Sequence, residues 1–234
     1  MATATLQPAP PSILPHTSTA LLPPPVPILV PIPGLTLYQM TYDLYERVIE
    51  LGLLGPDNKV VLLGGLLVNL MSKGHLHRGA VLRGQEALRA AIPVGWHVQP
   101  EQAIVLRGGP DGDSAPEPDL AVIFGDFTRY DQRLPIGAEV GLCIEVATSP
   151  DAVRIDRAGL FRYAHAGIPI ACIVNIADRS IEVYSEPSGP TADPGYRRFE
   201  TLRPGQTLLG EIGNATTGPA ALAPIPVEAF FVPN

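Results

Sequence analysis

The chain has 234 residues, is 46% hydrophobic and carries 23 acidic against 16 basic side chains, a formal net charge of −7. That length and apolar content suit one domain with an ordinary core and flanking tails. The acidic balance argues against tight, sequence-independent nucleic-acid binding, which relies on phosphate neutralisation by Lys and Arg, but it leaves room for a local basic cleft.

Residues 1–36 form a proline-rich, uncharged opening, with Gln7-Pro8-Ala9-Pro10-Pro11 and Leu22-Pro23-Pro24-Pro25-Val26-Pro27. Proline interrupts every apolar run there, so neither a transmembrane helix nor a leader's apolar core fits. The first Lys or Arg is Arg47, which also removes the basic start of a secretory leader. The stretch is expected to be a disordered tail of polyproline II character. It precedes a domain over residues 37–231 and a short C-terminal end at 232–234.

A first helix follows: Thr41 is the N-cap, Asp43 favours the first turn, and Leu44, Val48 and Leu51 share a face. Gly52 and Gly55-Pro56 end it. Lys59–Leu63, Gly64-Gly65 and Leu66–Met71 read as a hairpin through a two-glycine turn. A second helix runs from His75 to Ala91 and stops at Pro93, and strands are expected at Val98 and over Ala103–Leu106. The loop Gly108–Asp113 is acidic and glycine-rich but lacks calcium-loop spacing and a terminal Glu, so it reads as a plain turn.

Glu117-Pro118-Asp119 then leads into a short apolar strand, Leu120–Ile123. Gly141–Ala147 reads as a strand buried on both faces, interrupted by the carboxylate of Glu145. Ser149-Pro150-Asp151 opens a third helix that ends near Ala166-Gly167. Ile168–Asn175 is a buried strand, and Arg179–Tyr184 is an alternating one after a turn at Ala177-Asp178. The strand–helix–strand passage from Gly141 to Asn175 implies a right-handed parallel crossover. The fold class is α/β, a mixed central sheet flanked by helices. Cys143 and Cys172 lie inside apolar runs and are expected to be buried free thiols, which suits a reducing cytoplasm.

Chemistry concentrates on Asp119 and Glu145. An ionised Glu on a buried strand costs several kcal/mol unless an Arg or a metal ion compensates it. Two carboxylates meeting across adjacent strands are the least that Mg²⁺ needs, because it keeps several waters. The competing reading makes Asp119 a strand-end cap and Glu145 one half of an ion pair. No Walker loop, dinucleotide turn, nucleophile elbow or zinc spacing is present.

Several segments together resemble the bacterial Uma-two restriction-endonuclease family of the PD-(D/E)xK nuclease superfamily. They are Thr41–Tyr45, Glu50-Leu51-Gly52, the hairpin, Met71-Ser72 and His77, then Glu117–Leu120, Ile144–Val146, Asp156-Arg157, Tyr163–Ile168 and Ile173–Asn175. The resemblance implies a restriction-endonuclease-like fold. It also implies a Mg²⁺-dependent DNA endonuclease, with Mn²⁺ as a substitute, held by Asp119, Glu145 and the Val146 carbonyl. A lysine on the helix after the Glu strand would stabilise charge on the phosphorus. This chain has no lysine after Lys73, Gly159 falls near the expected place, and Val61 and Gly64 stand where the family carries acids. Arg157 is therefore the candidate catalytic cation, with Arg154 and Arg162 on or beside the same helix; arginine stays protonated and cannot act as a base. Two readings follow: an endonuclease of reduced activity, or a catalytically inactive nuclease-fold protein that binds nucleic acid or a partner protein. DNA is the expected partner, held weakly given the acidic charge; no membrane is expected and a homodimer is compatible. His77 is read as a hydrogen-bonded histidine at a helix start, and Tyr163 as core.

Overall fold

The computed structural model describes residues 36–54, 58–70 and 72–233. The proline-rich stretch expected to be a disordered tail lies, up to residue 35, outside the described residues.

The first helix, α1 (Tyr42–Glu50), begins as its sequence dictates, with the Thr41 side chain accepting from the Leu44 amide. A hairpin follows, β1 (Val60–Leu63) and β2 (Leu66–Asn69), closed by Gly64 and Gly65 at φ of +59° and +73°. Both turn residues need the left-handed region, which a side chain would strain. Helix α2 (His75–Ala91) ends two residues before Pro93, as expected. Then come β3 (Trp96–Pro100), β4 (Leu106–Gly109) and β5 (Gly112–Ser114).

Two expectations need adjustment here. The segment Gly108–Asp113 is the tip of the β4–β5 hairpin rather than a plain turn. The strand expected over Ala103–Leu106 begins only at Leu106, and Val105 makes a single bridge to Ile136.

The central sheet contains β3, β6 (Leu120–Phe124), β7 (Val140–Ala147), β8 (Ile170–Asn175), β9 (Ser180–Pro187) and β10 (Tyr196–Leu202), in the order β10-β9-β8-β7-β6-β3. Only the β7–β8 pair is parallel, and α3 (Pro150–His165) crosses between them. Ser149 caps α3 through the Ala152 amide, and Pro150 opens it where no amide hydrogen is needed. Strand β10 has no forerunner in the sequence reading: Arg197, Arg198 and Glu200 break any apolar alternation, because this strand forms the exposed edge. Two short strands, β11 (Thr207–Leu208) and β12 (Ile225–Pro226), pair in the C-terminal segment.

Alternation along the strands supplies both faces of the core. Leu142, Ile144 and Val146 of β7 and Leu120 and Val122 of β6 pack with Val81 and Leu88 of α2 and with Phe230 and Phe231. Cys143 and Ala147 of β7 and Ala121 and Ile123 of β6 pack with Val153, Leu160 and Tyr163 of α3. Cys143 and Cys172 are buried free thiols, and burial raises both. Among the described residues, no helix is long and apolar enough to cross a membrane.

Candidate carboxylate site

Antiparallel β6 and β7 pair Leu120 with Ile144. One step further along, Asp119 stands across from Glu145, and cross-strand partners project from the same face. For both residues that face is the α3 side, shared with Ala121 and Cys143. Pro118 precedes Asp119 and holds the chain extended up to the start of β6.

Asp119 is 4% exposed and fully engaged. Its Oδ2 accepts from the Val146 amide at 2.7 Å and meets His77 Nε2 at 2.9 Å. Its Oδ1 accepts from Lys73 Nζ at 2.5 Å, and the same ammonium reaches Glu101 Oε1 at 3.1 Å. Lys73 stands in the loop Ser72–Gly74 just ahead of α2, and His77 lies in the first turn of that helix. Burial alone would raise the Asp119 carboxyl, but His77 and Lys73 outweigh it and hold it below the usual carboxylate range. Burial likewise pulls the Lys73 ammonium down, yet Asp119 and Glu101 leave it above its ordinary value.

Among the described residues, Glu145 has no such cation. Its Oε1 accepts from the Tyr163 hydroxyl at 2.6 Å. Burial and then the negative charge of Asp119 push its carboxyl well above the ordinary range, against the pull of the Tyr163 hydrogen bond. Asp156, two turns before Tyr163 on α3, is a third carboxyl in the same field. Burial, then Asp119, push it up to about 6, while His77 and Lys73 pull the other way. Glu117 is raised too, by burial first, with Lys73 opposing. His77, Glu101 and Asp119 each offer one donor atom, all within 4.8 Å of one another, and His77 Nδ1 has no partner among the described residues.

The expected cation is not the one that arrives. Arg157 binds Glu182 of β9 through both carboxylate oxygens, with Nε–Oε2 at 2.8 Å, and Tyr184 donates to Glu182 as well. None of its hydrogen bonds among the described residues goes to Asp119 or Glu145. Arg162 pairs with Asp111 and Arg154 with Asp151. The cation beside Asp119 is instead Lys73, which lies ahead of α2 rather than on the helix after the Glu strand. Distance along the chain hid it: Lys73 lies 46 residues before Asp119, in a loop of another element. The spacing of Lys73 and His77, four apart at a helix start, is the one local signal that both face a common acid. Val146 reaches the site through its amide. The third carboxyl comes from Asp156 on α3, whereas Val61 in the hairpin is 2% exposed and contributes only to packing.

The fold is a mixed α/β domain with a six-stranded sheet, and a carboxylate pair stands where two central strands meet. Residues 43–216 match the family described as "Uma2: Putative restriction endonuclease". The chain belongs to that family. Among solved structures it is similar to "a putative nuclease belonging to DUF820 from Anabaena variabilis ATCC 29413", at 13% identity and a TM-score of 0.49, over 68% of this chain and 85% of that one. No curated protein matches.

Proposed function

We propose that the protein hydrolyses phosphodiester bonds of DNA with a divalent metal ion, Mg²⁺ or Mn²⁺, at Asp119 and Glu145. The observation that carries this reading is the placement of both carboxyls across β6 and β7, with the Lys73 ammonium 2.5 Å from Asp119. The residues suit a hard cation. Glu145 is a carboxyl in low-dielectric surroundings, with the Tyr163 hydroxyl and the Asp119 backbone amide on it but no cation among the described residues, and a cation would relieve its cost. Asp119, Glu145 and the Val146 carbonyl are the groups that would hold the ion, with Asp156 nearby as a further oxygen donor. When bound, such an ion supplies Lewis-acid stabilisation and a more acidic water.

The chain's own residues do the rest. In hydrolysis a water oxygen bonds to phosphorus, the bond from phosphorus to the leaving oxygen breaks, and negative charge builds on the non-bridging oxygens. Lys73 brings a positive charge to that place on a flexible stem. His77 and the Val146 amide fix the Asp119 carboxylate so that Oδ1 faces Lys73. Tyr163 orients Glu145 in the same way.

The Lys73–Asp119 contact also supports a second reading. If the ammonium stays on Asp119, it neutralises the acid, and the domain binds nucleic acid without cutting it. Nicking of supercoiled plasmid in Mn²⁺ separates the two. The nuclease reading expects cleavage by the parent, loss with Asp119→Asn, and a fall of at least about a hundredfold with Lys73→Met. Absence of cleavage by the parent, or cleavage by a well-folded Asp119→Asn variant, ends it.

A further inference from the structure

Next to the carboxylates lies a cleft of about 760 Å³ whose lining includes Ile49, Leu54, Lys59, Leu70, Lys73 and Arg78. Both lysines of the chain are in it. Elsewhere most basic side chains are committed: Arg107 to Asp43, Arg133 to Glu139, Arg157 to Glu182, Arg203 to Asp178. Lys59 and Arg78 are exposed, and among the described residues their side chains have neither an ionic nor a hydrogen-bonded partner. Arg197 and Arg198, on the edge strand β10, are the other two of this kind among the described residues. In a protein of net charge −7, Lys59 and Arg78 place uncommitted positive charge in the cleft that Lys73 also lines, where an anion could be held.

The chemistry of the lining narrows that ligand. Glu101 and Glu117 also face the cleft, and Glu101 already holds Lys73, so the cations left for an anion are Lys59 and Arg78. Ile49, Leu54 and Leu70 add an apolar wall. Anion-binding groups beside an apolar wall match a nucleotide, phosphate on the cations and base against the wall. The volume falls in the range of small-ligand pockets. A base can enter such a pocket only when it is unstacked, as in a single strand or a splayed end.

We propose that this cleft takes an unpaired nucleotide of the strand that enters the carboxylate site, with Lys59 and Arg78 on its phosphates. The inference takes its ligand class from the nuclease reading, but its test does not depend on cleavage. Fluorescence anisotropy of a short labelled oligothymidylate, in EDTA and over a range of salt, measures it directly. The parent should bind the single strand more tightly than a duplex of equal length. Lys59→Gln with Arg78→Gln should weaken binding at low salt by about tenfold or more and flatten the salt slope by about 1.4, roughly 0.7 for each phosphate deprived of its cation. Arg197→Gln with Arg198→Gln should leave both unchanged. The proposal is overturned if the parent does not bind, if the slope survives the double substitution, if the duplex binds as well, or if thymidine monophosphate competes as effectively as the strand. Binding that needs Lys59 and Arg78 in a parent that never nicks plasmid would uphold the cleft and remove the nuclease reading. Asp119-dependent nicking with no role for Lys59 and Arg78 would do the reverse.

Discussion

At Asp156 burial and the Asp119 charge outweigh the pull of His77 and Lys73, and the consequence is a measurable pH dependence. Its carboxyl is pushed from 3.8 up to about 6, so between those values the folded protein holds a proton that the unfolded chain has released. Stability from this group is therefore present at low pH and falls as pH rises through about 4 to 6. Asp156→Asn removes the penalty. Urea unfolding in EDTA should find the variant more stable than the parent at pH 8, by on the order of 1–3 kcal/mol, with the difference vanishing near pH 4. Tyr163→Phe makes the opposite test: it removes the hydroxyl that donates to Glu145 Oε1 and should cost about 1–2 kcal/mol. At this scale Asp119 and Glu145 were legible because a carboxylate beside or inside an apolar strand is conspicuous. Lys73 was not, since it is an ordinary charged residue until folding brings it to Asp119, and Asp156 stood out only through the family resemblance.

The helices differ in how they meet the sheet, and their glycines show it. A Cβ at Gly84 of α2 would lie 2.9 Å from both Leu120 Cδ1 and Phe230 Cε1, so the helix rests directly on β6 and the C-terminal segment. Gly84→Ala should destabilise the fold by about 1–3 kcal/mol in denaturant titration, although alanine is the better helix former. At Gly159 of α3 a Cβ meets nothing within 4 Å. Gly159→Lys should therefore be neutral or stabilising by roughly 0.5 kcal/mol, and a thermal midpoint clearly below the parent's would contradict this. Helix starts and stops were readable because Thr41, Ser149-Pro150 and Pro93 act through local backbone chemistry. The edge strand β10 was not, because an exposed edge carries no apolar period to detect.

For the molecule as a whole, the proposed metal site would couple ion binding to stability. An ion that binds only the folded state adds about 1.4 kcal/mol at tenfold excess over its dissociation constant, a rise of roughly 3–6 °C in thermal midpoint for a domain of this size. Mn²⁺ should give such a rise in the parent and none in Asp119→Asn; equal shifts in both would place the ion elsewhere. The sheet's two faces also reach completion at different times. The α3 face is furnished almost entirely by residues between Ile104 and Ile173. The α2 face needs Leu208, Ile225, Val227, Phe230 and Phe231, and Arg83 of α2 donates to the Phe230 carbonyl across 147 positions. During synthesis, then, one side of the sheet closes early, while α2, already against β6 and β7, keeps part of its apolar stripe uncovered until residues 225–231 have been made. A chain stalled in that interval exposes a sticky face, which makes it a natural client for chaperones.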